Sequence, residues 1–387
     1  MFVLIGIVSE NKSQQLSPQA EISLLTVSPG DELYSCFGHS TYFIYDSINK
    51  ISKVYNYGTF DFDDPNFYSN FVRGKLKYRL NVEQPGQLMM MATEENRSIT
   101  QQILNLSPAQ KQRIYADLEK NALPENKYYK YDFFYDNCSS RLRDILANVC
   151  SDSLNFNLKE DGGKSFRNLI DPYLVDKQYQ DLGMDLGLGA PADRIATPYQ
   201  YMFLPNNLRD DFNSATILRG GKKEKLVSSE RIVLPAVAVI HTSSFLANPA
   251  FAFWSLLLLV VALTFYQYKK DKNGFWLDAI LFGFSGLFGL LLLFLWFGTD
   301  HGVTAKNYNL IWAFPGHLWA VVYLFIGKNM RRIGSYFLVN FYVLFFLMLF
   351  WHFVPQELNL YTLPFILALA IRSLYIYHRF SKDYIYE

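Results

Sequence analysis

After Asn248 the chain changes character: a mixed, turn-rich sequence gives way to a series of long apolar runs. Crossing a bilayer core takes about 20 mostly apolar residues per helix. Five stretches meet that length, roughly 249–268, 276–297, 310–327, 333–354 and 359–378. The mean hydropathy of +0.03 conceals them because it averages two unlike regions. The fifth stretch contains Arg372, about one turn from its end, where a long side chain is expected to snorkel to the interface. Such a chain is an integral membrane protein with a domain of roughly 240 residues ahead of its helices.

The loops orient the bundle. Lys269, Lys270 and Lys272 follow the first run, Lys328, Arg331 and Arg332 follow the third, and Arg379 and Lys382 follow the fifth. The other two loops, 298–309 and 355–358, carry one lysine between them. The positive-inside rule then places the basic loops and the C-terminus in the cytoplasm. Five spans put the N-terminal domain outside. The basic patch Arg219, Lys222, Lys223, Lys225 and Arg231 runs against this, but it lies far enough from the first run for the rule to weaken. The short apolar start, Met1 to Val8, is read as the remnant of an export signal whose beginning lies upstream, with a frayed terminus as the alternative.

A net charge of +1 offers no basic field for nucleic acid. The 33 Phe and 27 Tyr suit a membrane boundary, and equally a site that holds acyl chains. The three cysteines, Cys36, Cys138 and Cys150, leave at least one thiol unpaired.

Within the first domain, segments 22–27, 40–46, 51–57 and 76–82 read as strands. Asp63-Asp64-Pro65 opens a short helix over 63–72, and Ser107-Pro108 opens one over 107–121. Residues 138–149 form a helix with a stripe of Leu142, Ile145, Leu146 and Val149. Residues 182–191, rich in glycine, read as a loop. This order indicates α+β.

Two stretches carry chemistry: Cys36-Phe37-Gly38-His39-Ser40 entering a strand, and Asp136-Asn137-Cys138-Ser139-Ser140-Arg141 entering a helix. With Asp136 or Asn137 as the cap, Cys138 sits in the first helical turn. There, free N–H groups and the dipole favour a thiolate and could hold an oxyanion. Arg141 adds positive charge one turn on. The bland alternative is a small buried residue at a helix start. A thiol nucleophile needs a base, and the domain offers only His39 and His241. Cys36 and Cys150 read as buried packing residues, with a disulfide between them as the alternative. His301, Asn307 and Asn309 gather with Asp300 in the second loop, on the side of the soluble domain, where they can meet a lipid head group or peptide or simply be solvated. His317 and His352 lie near the same leaflet. No H-E-x-x-H, C-x-x-C or P-loop occurs, so neither metal nor cofactor is expected. Gly283-Phe284-Ser285-Gly286, lying mid-span, reads as packing rather than a serine elbow.

The pairing of Gly38-His39 on an early strand with Asn137-Cys138 at a later helix start resembles the circularly permuted, NlpC-type papain-like fold. Lecithin retinol acyltransferase belongs to that group, and its nucleophile also lies in an Asn-Cys stretch. Nearly the whole chain is similar to the Lnb family, the lipoprotein N-acyltransferases of Bacteroides and its relatives (Bacteroidota). The similarity rests on Phe37-Gly38-His39-Ser40, on Tyr55-Asn56-Tyr57-Gly58-Thr59-Phe60-Asp61-Phe62, on Asp136-Asn137-Cys138-Ser139 and on the five-helix tail.

The resemblance implies a periplasmic papain-like thiol acyltransferase domain over 16–245, behind the signal remnant at 1–15, and a transmembrane domain of five helices over 246–387. It implies an inner-membrane enzyme that moves a fatty acyl chain, with phospholipid as donor, to the α-amine of the lipidated N-terminal cysteine of exported lipoproteins. Cys138 would attack and His39 would act as base. On the next strand Asn56 would be the orienting group, with Tyr55 and Tyr57 as alternatives. Tyr55, Tyr57, Arg141, His301, Asn307 and Asn309 would line the substrates' path. The rival readings are a membrane-anchored cysteine hydrolase (peptidase, amidase or phospholipase) and a non-enzymatic receptor or scaffold.

Overall fold

The computed structural model describes residues 14–60, 65–160, 162–237, 248–271, 274–326 and 330–382. Met1 to Val8, Asp61 to Asp64, His241, Lys272 and Lys328 lie outside the described residues. The chain packs into two compact units. One comprises Met1–Phe67, Leu76–Gly163 and Ala196–Val239, the other Tyr68–Lys75, Lys164–Ile195 and Ile240–Glu387.

In chain order the elements begin with β1 (Glu21–Val27), β2 (His39–Asp46), β3 (Ile51–Thr59) and α1 (Phe67–Val72). Next come β4 (Lys77–Glu83), α2 (Pro85–Glu94), β5 (Ile99–Leu104), α3 (Pro108–Ala122), β6 (Tyr128–Lys130), α4 (Cys138–Cys150) and β7 (Leu154–Asn155). Helices α5 (Phe166–Ile170) and α6 (Gln178–Gly187) belong to the second unit. The first unit resumes with α7 (Pro198–Tyr201), α8 (Pro205–Ser214), β8 (Thr216–Arg219), β9 (Lys222–Lys225) and β10 (Val227–Leu234).

The first unit is built on an antiparallel sheet in the order β10-β5-β1-β2-β3-β4-β6, with a small second sheet β7-β8-β9. Alternation divides the main sheet into two apolar faces. Ile22, Leu24, Tyr42, Ile44, Tyr55 and Tyr57 pack with Leu142 and Leu146 of α4 and with Ile114 and Leu118 of α3. Leu25, Val27 and Val54 pack on the other face with Leu88 and Ala92 of α2. Each fully buried leucine of α4 contributes about 1.5–3 kcal/mol. The α3 cap forms as its sequence dictates: Ser107 accepts from the Gln110 N–H, and Pro108 takes the first turn, where its missing N–H costs nothing.

The second unit contains α9 (Pro249–Lys270), α10 (Trp276–Phe297), α11 (Gly316–Ile326), α12 (Met330–Leu349) and α13 (Leu363–Lys382). Among the described residues five helical spans, α11 counted from Tyr308, are long and apolar enough to cross a membrane. A helix of 22 residues such as α10 extends about 33 Å, enough for a core of about 30 Å. The anticipated α+β domain followed by five apolar helices is thus what forms.

Several local expectations give way. Helix α1 begins later than the pattern suggested, at Phe67. The glycine-rich stretch from Leu182 to Gly187 is helical, as the end of α6, because its tertiary partners override the cost of the glycines. Leu186 packs on the apolar core of the second unit, and Asn307 Nδ2 donates to the carbonyls of Leu186 and Gly187 at 2.8 and 3.3 Å. Arg372 does not snorkel. It is fully buried on α13 and forks onto Asp278 of α10 through two bonds of 2.7 Å. Its remaining nitrogen donates to Thr264 and Gln267 of α9. His317 is buried too, bonded to the Tyr336 hydroxyl and the Trp312 carbonyl rather than facing a leaflet surface. Ser285 donates to that same carbonyl, a packing role as expected.

Candidate active site

The site in the first unit begins with the cap of α4. Asn137 is the N-cap, and its Oδ1 accepts from the N–H groups of Ser139 and Ser140, both at 2.9 Å. Its Nδ2 donates to the carbonyls of Phe133 and Phe203 at 2.8 Å, which fixes the start of the helix. Asp136, the other candidate cap, instead takes Arg141 in a two-pronged pair at 2.6 and 2.7 Å. The Arg141 guanidinium lies 3.5 Å over the Tyr129 ring. Its charge is therefore used in that pair and stack.

Cys138 follows the cap and is 6% exposed. His39 opens β2 directly after Gly38, whose φ of +83° suits glycine. A Cβ at Gly38 would stand 2.9 Å from the Val27 carbonyl oxygen, so the tight entry into the strand requires its absence. This entry brings the imidazole beside the thiol, near enough for each group to shift the other's ionisation. Ser139 Oγ lies 3.9 Å from the sulfur.

His39 Nε2 lies 2.6 Å from Asn56 Oδ1. The roles in this contact follow from the next one. Asn56 Nδ2 donates to Glu83 Oε1 at 3.0 Å, and a carboxylate only accepts, so the Asn56 oxygen faces the ring. Nε2 is then the donor, which leaves Nδ1 as the nitrogen for the thiol. Glu83 lies opposite Val54 in the β3–β4 register, on the diagonal from Asn56, and Asn81 Nδ2 also donates to it at 3.3 Å.

Burial pushes the Cys138 thiol up, but the His39 charge and hydrogen bonds from His39, Ser40 and Ser139 outweigh it and bring the thiol below its ordinary value. Burial pulls His39 down, yet the charge and hydrogen bond of Cys138 and the bond to Asn56 bring it above its ordinary value. Each partner thus favours the other's charged form, a thiolate–imidazolium pair. The other cysteines differ. All three are unbridged and buried. Cys36 donates to the Leu33 carbonyl, and burial pushes Cys150 up to about 11.

Of the anticipated residues, Cys138, His39 and Asn56 come together. Tyr55 points to α3, where its hydroxyl bonds Glu119 and its ring meets Tyr115 edge-on. Tyr57 is buried, accepts from Asn121 Nδ2 and meets Tyr129 edge-on. In the second unit Asn307 and Asn309 are buried: the Nδ2 of each donates to the Leu186 carbonyl, Asn307 Oδ1 accepts from the Asn309 N–H, and Asn309 Oδ1 accepts from Trp312 Nε1. His301 bonds the Phe71 carbonyl. Glu83 was missed from the sequence, because only strand pairing brings it near Asn56. For a cation, the described residues offer Asp171, Asp181 and Asp185, whose ligand atoms lie within 4.8 Å of one another. Burial and then mutual repulsion raise Asp171 to about 7 and Asp181 to about 6, so near neutrality Asp171 is about half protonated and Asp181 mostly ionised.

Two family models match the chain. The Lnb N-terminal periplasmic domain matches residues 10–173, and the Lnb transmembrane domain matches residues 240–383. No curated protein and no solved structure matches it.

Proposed function

Because the chain belongs to the Lnb family, and is thereby a multi-pass membrane protein of lipoprotein processing with a periplasmic N-terminal domain, we propose that it is a lipoprotein N-acyltransferase using Cys138 as nucleophile. The observation that carries this reading is Cys138 at the start of a capped helix beside His39, whose ring is oriented by the hydrogen-bonded series His39–Asn56–Glu83. The same arrangement, a histidine on an early strand followed by the cysteine on a later helix, supports a permuted papain-like fold.

The chemistry follows from the groups present. Cys138 Sγ attacks the carbonyl carbon of a phospholipid ester, and the carbonyl π pair moves onto oxygen. The tetrahedral species collapses to a thioester as the glyceryl oxygen leaves with the proton of the His39 imidazolium. The α-amine of the lipoprotein's lipidated cysteine then attacks the thioester. His39 takes the amine's proton, and the Cys138 thiolate leaves. Asn56 and Glu83 keep Nδ1 of His39 facing the sulfur throughout.

The test is the mass of lipoprotein N-termini in cells lacking the protein, complemented with wild type or with Cys138→Ala. Wild type should restore one acyl chain, and Cys138→Ala should restore none at equal abundance in the membrane. Equal restoration by both would remove Cys138 from the chemistry. If neither changes the mass, a hydrolase or scaffold takes precedence.

A further inference from the structure

The cap that forms the site also leaves it short of donors. A helix start leaves four N–H groups without an intrahelical partner, and that of the cap Asn137 is taken by Ser140 Oγ. Here two of them, on Ser139 and Ser140, are already bonded to Asn137 Oδ1. Only the N–H of Cys138 itself remains for the negative oxygen that forms when a thiolate adds to a carbonyl. One such donor is a weak cradle for that charge.

Next to the nucleophile stands a hydroxyl with nothing to bond. Among the described residues Tyr129 Oη is buried and has no hydrogen-bond partner. An orphaned buried hydroxyl costs about 1–3 kcal/mol, so its persistence asks for a reason. The place where it lies supplies one. β3 bulges between Asn56 and Thr59, and Gly58 there has φ +88°. A Cβ at Gly58 would stand 3.8 Å from Cys138 Cβ, 4.0 Å from Tyr129 Oη and 3.3 Å from Tyr131 Cε2. The absent side chain therefore leaves a gap flanked by the cysteine and the hydroxyl. The hydroxyl is no more than about 8 Å from Cys138 Cβ, a span that a carbon bound to sulfur and its oxygen can bridge.

Resting on the acyl-transfer reading above, we infer that the Tyr129 hydroxyl is a catalytic residue: with the Cys138 N–H it holds the oxyanion of both tetrahedral intermediates, in the gap left by Gly58. As Cys138 Sγ bonds the ester carbon, the carbonyl π pair moves to oxygen. The Tyr129 O–H and the Cys138 N–H donate to that oxygen. When the carbonyl reforms, the glyceryl oxygen leaves with the His39 proton and both donors are released unchanged. The phenol is suited to donate rather than ionise. Burial first, and the charge of Cys138 second, hold it above its ordinary value, with Arg141 pulling the other way. The Arg141 guanidinium on one face and Tyr57 edge-on hold the ring without using its hydroxyl. Tyr131, stacked at 4.3 Å on Tyr78, closes the far side of the gap.

Tyr129→Phe in the full chain separates this role from others, because it keeps the ring and its packing. Two rates at Cys138 are compared by intact and peptide mass: alkylation by iodoacetamide, which needs the thiolate but forms no oxyanion, and acylation by p-nitrophenyl octanoate, which forms one. Alkylation should stay within about twofold of wild type, which also reports a folded site. Acylation should fall about 10²–10³-fold, the loss expected for one oxyanion donor. Equal loss of both rates would make Tyr129 a support for the thiolate and overturn the inference, and so would unchanged acylation. A wild type that alkylates at Cys138 but takes no acyl group there would instead sink the acyl-transfer reading itself, and the inference with it.

Discussion

The carboxamide of Asn56 determines which nitrogen of His39 carries a proton, and Glu83 determines which way that carboxamide faces. The pH dependence of the thiol follows from the pair this creates. Cys138 lies below its ordinary value and His39 above its own, so each partner widens the pH range over which the other is charged. Iodoacetamide should therefore alkylate Cys138 quickly at pH values below the ordinary thiol range near about 8.5. Its rate should decline only where acid protonates the sulfur. In His39→Ala burial acts with less opposition, so the midpoint should move to higher pH; a rate against pH read on the Cys138 peptide checks this. An unmoved midpoint would disconnect the two residues. At this scale the sequence was partly legible. A cap followed by a cysteine, and a glycine before a histidine, each carry a local mark. Glu83 and Tyr129 carry none. One is a carboxylate ending a neighbouring strand, the other a tyrosine in the aromatic run from Tyr128 to Tyr131, and only the pairing of β3, β4 and β6 gives either a place at the site.

Among the elements, α13 shows how a polar residue is kept inside an apolar helix. It is the most enclosed of the five spans, and Arg372 is fully buried within it. Asp278, Thr264 and Gln267 bond its guanidinium and join α13 to α10 and α9. Arg372→Leu should lower stability by about 3–5 kcal/mol, because it leaves Asp278 buried without a partner. Adding Asp278→Leu should recover most of that loss. Thermal unfolding in detergent reads both, and a single variant as stable as wild type would deny the pair its role. Hydropathy located this helix, whereas the partner of its arginine, 94 residues earlier, became visible only on packing. Helix α6 illustrates the same limit. Its glycines marked it as a loop, and packing of its Leu186 on the apolar core and the bond from Asn307 made it a helix.

For the whole molecule, the division into units does not follow the boundary suggested by hydropathy. Tyr68–Lys75 and Lys164–Ile195 pack with the membrane helices although they lie far ahead of them in sequence. Their partners lie in the loops between spans. The Gly189 and Ala190 N–H groups donate to the carbonyls of Val303 and Lys306, Gln356 Nε2 to the Leu188 carbonyl, and the Asp300 N–H to the Arg73 carbonyl. A fragment ending at residue 245 would lack all of these. Limited proteolysis should therefore cut it within 164–195, while the same segment resists in the full protein; equal resistance would show that the segment holds its fold alone. The same bonds set an order of events during synthesis. Phe71 and His301 are 230 residues apart. At about 5–20 residues per second, the earlier residue waits some 10–50 s for its partner. Through that interval the nascent chain has an unfinished surface on the far side of the membrane from the ribosome, which makes this protein a natural client for whatever shelters exported chains before their last helices arrive.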